Sequence, residues 1–397
     1  MPEEPVTVAI IDLRGANRPA GVKSGPYAVI CGLPVVVRSV LVARRKGFER
    51  IVALVEHSDD AHALLAHPRS GPIEVVIGTV ESIDLRSEDR VLTWPAALSF
   101  GRHLPSAALQ AAPATGVARI GTDGLLLSHG LPTETVTETR ASDQPAVRVT
   151  SPEARREAEA LLLRSLRKDA DGIVAQFDRH ISLALSRPLM ATNISPNVIT
   201  ILGAVIGIAS GVAAAHGGYA WMLAGALGFQ WNSISDGIDG EIARAKLLES
   251  RLGQWLDTWA DDSTNLVFCT GAAIGCYRTF GGEHFLWLSG LIAIGITLSA
   301  LLQYHYVHFV LGSGDLNEFR MPWERGRAHG ERDTQAPSLV ARGLMALKPL
   351  VRRDAFVAMT TVCALLNWWP GMVYAYSIGA TVTWTAILFY KLFPPTP

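Results

Sequence analysis

The sequence predicts an N-terminal α/β unit with a mostly parallel sheet, followed by an all-α integral membrane domain with an amphipathic surface helix and six transmembrane helices. Three observations carry this reading. Hydrophobic residues make up 49% of the 397 and charged residues only 18%, against roughly 25% charged in an average soluble chain. Short β-rich runs alternate with helix-like stretches over residues 1–150, and charge-free stretches of membrane length follow from Val198 onward. At about 150 residues per domain, the length fits two or three domains. The formal net charge of −1 provides no global basic field, so no nucleic-acid partner is expected. Cys31, Cys269, Cys276 and Cys363 form no C-x-x-C pair, which argues against a disulfide framework or a zinc site. The acidic opening MPEEPVTVAIIDL lacks the basic start of a signal peptide, so no cleaved leader is expected.

In the first part, strands are expected at Val6–Leu13, Arg50–Glu56, Ile73–Thr79 and Arg90–Trp94, with helices at Pro34–Lys46 and Asp59–Ala66 between them. That alternation argues for a mostly parallel sheet with helices on both faces. Residues 133–150 read as a linker or a last edge strand. Ser151-Pro152-Glu153 is a helix start, with a capping residue and Pro at the first position. Ser151–Arg187 carries seven Lys/Arg and six Asp/Glu among apolar positions, as a helix lying at a bilayer surface does; the plainer alternative is a helix packed on the N-terminal domain. The charge-poor stretches are Val198–His216, Gly217–Ser235, Ser263–Tyr277 (extendable back through Leu252), Phe285–Val310, and Ala355–Tyr390, which is broken at 367–371. About twenty apolar residues cross the hydrocarbon core, giving six spans within about 196–393. The expected domains are therefore 1–150 and 151–397, with the surface helix at about 152–187.

Charge sets the expected topology. The connections 216–219, 278–284 and 367–371 hold one Arg and one Glu, whereas Asp315–Arg353 holds eight Lys/Arg against five Asp/Glu. By the positive-inside rule both termini and the active site are cytoplasmic in a multi-pass membrane protein. Trp287, Trp368 and Trp369 are expected at the outer interface.

Residues 236–261 break the hydrophobic pattern. Carboxylates adjoining membrane spans cost roughly 2.5–3.5 kcal/mol each at mid-depth, yet Asp236 and Asp239 close the second span, and Asp257 and Asp261 open the third. Three- and four-residue spacings place each pair on one helix face, so two antiparallel helices can aim all four at one spot. Four such carboxylates need cations, and hard divalent metals with oxygen ligands answer that need. Glu241, Glu249 and Asp262 lie outside the pattern and are read as solvated or supporting. Arg352 and Arg353 open the fifth span, where basic residues can hold a phosphorylated acceptor or the lipid surface.

The spacing D-x2-D-G-x2-A-R-x8-G-x3-D-x3-D is met at Asp236, Asp239, Gly240, Ala243, Arg244, Gly253, Asp257 and Asp261. It resembles the signature of the CDP-alcohol phosphotransferases, integral-membrane enzymes of phospholipid headgroup synthesis, and Pro196-Asn197-Val198-Ile199-Thr200 resembles the opening of that family's first span. The resemblance implies that Asp236, Asp239 and Asp257, with Asp261 beside them, hold two Mg²⁺ or Mn²⁺ ions on the donor pyrophosphate. It implies that Asp261 is the general base and that Asn197, Thr200, Asp236, Gly240, Ala243, Arg244 and Gly253 line the nucleotide site. The implied reaction is attack of an acceptor hydroxyl on the phosphorus bearing the donor alcohol, with CMP leaving. The implied donor is CDP-diacylglycerol or a CDP-polyol, and the acceptor an alcohol or polyol phosphate. A homodimer in a prokaryotic inner or plasma membrane is implied as well. Intramembrane carboxylates also mark ion pathways, so an ion-coupled transporter is the competing class, although coupled ions do not require the small residues at 240, 243 and 253.

Residues 8–55 resemble sugar-phosphate nucleotidyltransferases in cadence, and Gly32-Leu33-Pro34 matches their helix start. The chemical parts differ. The phosphate loop shrinks to Arg14-Gly15-Ala16-Asn17-Arg18, Ser24-Gly25-Pro26-Tyr27 lacks the expected Lys, and Val91–Ala96 lacks a metal-binding Asp. A phosphate loop needs glycines for its backbone N–H groups to reach the anion. Fusion of these two parts is similar to the bifunctional inositol-1-phosphate cytidylyltransferase and di-inositol-phosphate phosphate synthase enzymes. Here the first activity is expected to be lost; the alternative is a bifunctional enzyme that makes its own CDP-polyol.

Overall fold

A computed structural model describes residues 6–14, 24–100, 117–120, 125–129, 136–140, 146–166, 173–309 and 353–392. Contacts divide the chain into two compact units. The first is Met1–Lys168 with Met190–Thr192 and Arg244–Leu248; the second comprises Asp169–Leu189, Asn193–Ala243 and Glu249–Pro397.

The first unit is built on strands β1 (Thr7–Asp12), β2 (Val29–Ile30), β3 (Leu33–Pro34), β4 (Arg50–Val55), β5 (Glu74–Ile77), β6 (Arg90–Pro95), β7 (Leu98–Phe100), β8 (Val117–Ile120), β9 (Leu125–His129), β10 (Val136–Arg140) and β11 (Ala146–Arg148). Seven of them form one sheet in the order β10-β8-β9-β6-β1-β4-β5. The four expected runs are β1, β4, β5 and β6, and they pair in parallel. β9 enters antiparallel between β6 and β8, which makes the sheet mixed. Residues 133–150 hold an edge strand, β10, and β11, which pairs with β7.

β1 is buried on both faces, as a central parallel strand is. Ala9, Ile11 and Leu13 join Val36, Val40 and Trp94 on the side of helix α1 (Val35–Arg45). Val8 and Ile10 join Val52, Leu54 and Val91 on the other side, where Ile83, Val80 and Leu85 pack. Among the described residues that second face is therefore closed by the segment around Val80–Leu85, which holds a single 3₁₀ turn, and not by an α-helix as the alternation predicts.

The surface helix expected at about 152–187 is two helices. In α2 (Pro152–Ser165), Ser151 Oγ accepts from Ala154 N at 3.2 Å. Its Ala158 and Leu162 are buried with Ala28, Ile30, Val35 and Val149 of the first unit, so this portion takes the plainer of the two expected roles. α3 (Ile173–Met190) belongs to the second unit apart from Met190.

Six helices follow: α4 (Pro196–His216), α5 (Tyr219–Ala245), α6 (Arg251–Phe280), α7 (His284–Phe309), α8 (Arg353–Leu365) and α9 (Trp369–Leu392). Among the described residues, Pro196–His216 and His284–Tyr306 are apolar and long enough to cross a membrane, and Ala355–Leu365 is apolar but shorter. α4 lies against α6 at backbone distance: a Cβ at Gly271 would stand 2.2 Å from the Gly211 carbonyl oxygen. Small residues permit that approach where helices associate in apolar surroundings. The core gathers Phe229 stacked on Phe268 with ring centroids 4.1 Å apart, buried Cys269, Cys276 and Cys363, and Trp369. Trp369 is wholly buried, which corrects its expected interface place; Trp287 and Trp368 are exposed.

Glu241 corrects another expectation. It has no solvent exposure, and its carboxylate accepts from Ser182 Oγ (2.6 Å), Ser186 Oγ (2.5 Å) and Arg179 Nη1 (3.2 Å) of α3. Asp178, also buried, accepts from Gln230 Nε2 at 3.1 Å. These contacts fasten α3 along α5. Glu241→Leu strands a half-buried guanidinium and two hydroxyls, and removing one partner of a buried pair costs about 3–5 kcal/mol. A thermal melt of the purified protein should show a clear fall for Glu241→Leu and a smaller one for Glu241→Gln, which keeps an acceptor for the serines.

Candidate active site

Two helix segments bring the carboxylates of the site, α4 lines it beside them, and α8 closes it. α6 starts at Ser250, whose Oγ accepts from Gly253 N at 3.0 Å. That cap fixes the first turn, and Asp257 and Asp261 follow Gly253 at steps of four on one helix face. α5 brings Asp236 and Asp239. One carboxylate oxygen from each of Asp236, Asp257 and Asp261 lies within 4.8 Å of the others. Asp239 is 5% exposed and accepts from Thr200 Oγ1 of α4 at 2.5 Å. All four carboxylates line one cleft with Thr200, Gly203 and Asn232.

α8 supplies the counter-charge. Arg353 Nη1 lies 2.6 Å from Asp261 Oδ2 and 3.7 Å from Asp236 Oδ1. One guanidinium against four carboxylates leaves the cleft strongly negative, and like charges at this spacing are costly without further cations. The donor set is entirely oxygen, which fits hard divalent metals such as Mg²⁺ or Mn²⁺ rather than soft-ligand metals. Asp262 points elsewhere: it accepts a hydrogen bond from the Tyr304 hydroxyl of α7, and Tyr304 packs edge-on to Trp255 with centroids 5.6 Å apart.

The other expected residues are placed as follows. Asn197 stands beside Gly253, where an added Cβ would come within 3.3 Å of Asn197 Oδ1. Gly240 and Ala243 are half-buried on α5 after Asp239. Arg244, also half-buried, falls in the Arg244–Leu248 segment grouped with the first unit. Arg352 lies outside the described residues. Sequence reasoning passed over Asn232. Its signal was available, because a polar side chain four residues before Asp236 in an otherwise apolar span shares that aspartate's helix face.

In the first unit, Asp12 closes β1 next to Pro95 of β6. Both of its carboxylate oxygens are taken by Arg14, from Nε at 3.0 Å and from Nη2 at 2.9 Å.

Convergent carboxylates at the ends of apolar helices define a class, the helical proteins with an acidic, divalent-metal-type site. Comparison with known proteins points to a family: residues 193–316 match the model of the CDP-alcohol phosphatidyltransferases. It is similar to the bifunctional IPC transferase and DIPP synthase of Thermococcus kodakarensis, 37% identical over 163 residues, covering 41% of this chain and 35% of that protein. The protein of that name from Aquifex aeolicus is 30% identical over 128 residues, covering 32% of this chain and 29% of its own length. The chain thus spans about a third of the length of these relatives. A crystal structure of Mycobacterium tuberculosis phosphatidylinositol phosphate synthase with manganese and citrate aligns over 54% of this chain and 90% of its own at 15% identity, with a TM-score of 0.38.

Proposed function

We propose that the chain is a membrane CDP-alcohol phosphotransferase that moves a substituted phosphate from a CDP-linked donor to a hydroxyl acceptor and releases CMP. The observation that carries this reading is the convergence of Asp236, Asp239, Asp257 and Asp261 on one cleft, with Arg353 against Asp261. Bound divalent ions, two by the family pattern, would neutralise the donor pyrophosphate and the charge that develops on attacking and leaving oxygens. Asp236, Asp239 and Asp257 would hold them. The protein's own groups do the rest. Asp261 takes the acceptor's hydroxyl proton as its oxygen bonds to the phosphorus bearing the donor alcohol, and the bond from that phosphorus to the CMP oxygen breaks. Thr200 holds Asp239 in place, while Asn197, Gly240, Ala243, Arg244 and Gly253 leave room and contacts for the nucleotide. Arg353, and Arg352 beside it in sequence, are the acceptor-side cations.

The same reading places α4–α9 across a bilayer as six spans, with both termini and the cleft cytoplasmic and the protein a homodimer. Exposed Ile201, Leu202, Val205 and Val212 on α4, and Ile378 and Val382 on α9, support a lipid-facing surface. The first unit is a silent scaffold. In support, no carboxylate stands at Pro95-Ala96, and its neighbour Asp12 is occupied by Arg14.

The test offers purified protein CDP-diacylglycerol or CDP-polyols, Mg²⁺ or Mn²⁺, and alcohol or polyol-phosphate acceptors. CMP release that requires both metal and acceptor is expected. Ion flux without CMP release would favour a transporter and overturn the proposal. With CTP and inositol or sugar phosphates, no pyrophosphate should form; its appearance would restore the bifunctional alternative.

A further inference from the structure

The cleft contains one buried amide that the reaction above does not use. Asn232 sits on α5, one turn before Asp236, and is 5% exposed. A primary amide offers two donor hydrogens and one acceptor oxygen, and here its neighbours select the orientation. Nδ2 donates to the Gly203 carbonyl oxygen of α4 at 2.7 Å, and Oδ1 accepts from Arg353 Nη2 of α8 at 3.1 Å. The carboxamide also lies 3.4 Å from Thr264 Oγ1 of α6, one turn beyond Asp261 in chain order. A single side chain thus meets all three other helices that line or close the cleft. Arg353 is then held at two points of its fork, Nη1 on Asp261 and Nη2 on Asn232. A planar guanidinium held at both ends has one orientation; held by Asp261 alone, it can swing about that contact.

We infer that Asn232 is a positioning residue for the transfer reaction: its amide bridges the Gly203 carbonyl to the Arg353 guanidinium and so fixes Arg353 against Asp261. The inference rests on the phosphotransferase reading. In this role Asn232 acts on the reaction through Arg353, not as a ligand of substrate or metal. Misplacement of a catalytic group by about 1 Å can cost about 100-fold in rate.

The experiment is a double-mutant cycle between Asn232→Leu and Arg353→Ala, read in acceptor kcat/KM by CMP release, with Mn²⁺ and CDP-donor affinities measured on the same proteins. Asn232→Leu should lower acceptor kcat/KM at least tenfold in the native background and less than twofold in the Arg353→Ala background. Its Mn²⁺ and donor affinities should stay within twofold of native, a split that general loosening of the helices would not produce. Asn232→Ser, which keeps a small polar side chain but cannot span both partners, gives the same comparison if the leucine variant does not fold. Equal losses in both backgrounds, or an unchanged kcat/KM for Asn232→Leu, overturn the inference while leaving the function standing. No CMP release from the native protein with any donor overturns the function, and the inference with it.

Discussion

Asp261→Asn should keep its metal and its CDP donor and lose transfer by about 10²–10⁴-fold, the usual contribution of a positioned general base. The substitution preserves shape and removes the capacity to take a proton, together with the charge that pairs with Arg353. The geometry makes the outcome specific. Asp261 lines the cleft with Arg353 on one of its oxygens, whereas Asp239 is buried against Thr200. Asp236→Asn and Asp239→Asn should therefore act differently, weakening Mn²⁺ binding by at least the 10–100-fold that loss of an outer partner costs. The two classes separate by measuring Mn²⁺ affinity and single-turnover CMP release on the same samples. If Asp261→Asn loses Mn²⁺ as severely as Asp236→Asn, Asp261 is foremost a metal ligand and the base must be sought elsewhere.

Much of the site could be read from spacing because helices turn spacing into geometry. Asp236 with Asp239, and Asp257 with Asp261, needed only their period of three and four to share a face, and the structure brings the two faces to one cleft. What escaped was whatever depends on a partner distant in sequence. Glu241 looks like any solvated helical glutamate until α3 presents Ser182 and Ser186, themselves four residues apart, to its two oxygens. Ala158 and Leu162 of α2 share a face that could equally meet lipid or protein, and only tertiary packing settles which. Trp368 and Trp369 are adjacent and chemically identical, yet one is 61% exposed and the other 0%. Composition marks such a pair as interfacial; the direction of α9 decides which member turns inward. The N-terminal sheet was legible wherever both faces of a strand are apolar, as in β1 and β4. The antiparallel insertion of β9 left no comparable signal, because register and order depend on partners that hydrophobic periodicity does not name.

Arg353→Ala should cost 2–5 kcal/mol in acceptor kcat/KM, the range for truncating one member of a desolvated, hydrogen-bonded charge pair, or about 30- to 5,000-fold. Two contributions are combined in that figure. Loss of the Nη1 contact leaves Asp261 without its counter-ion, which lowers turnover with any acceptor. Loss of the cation itself removes a phosphate ligand, which raises KM only for acceptors that carry a phosphate. Arginine suits that second task because its fork meets phosphate through two parallel hydrogen bonds, and Nε of Arg353 has no hydrogen-bond partner among the described residues. Comparing a phosphorylated acceptor with its unphosphorylated counterpart separates the two. A KM rise confined to the phosphorylated compound, with CDP-donor affinity spared, identifies Arg353 as an acceptor-phosphate ligand. An equal fall in turnover with both compounds and no change in KM makes it solely the partner of Asp261, and an unphosphorylated alcohol becomes the better acceptor. Arg353→Lys sharpens the contrast: it keeps the charge but not the planar fork. It should recover part of the turnover while leaving much of the KM defect, because an ammonium can stand beside Asp261 but cannot also meet Asn232 and a phosphate in one plane.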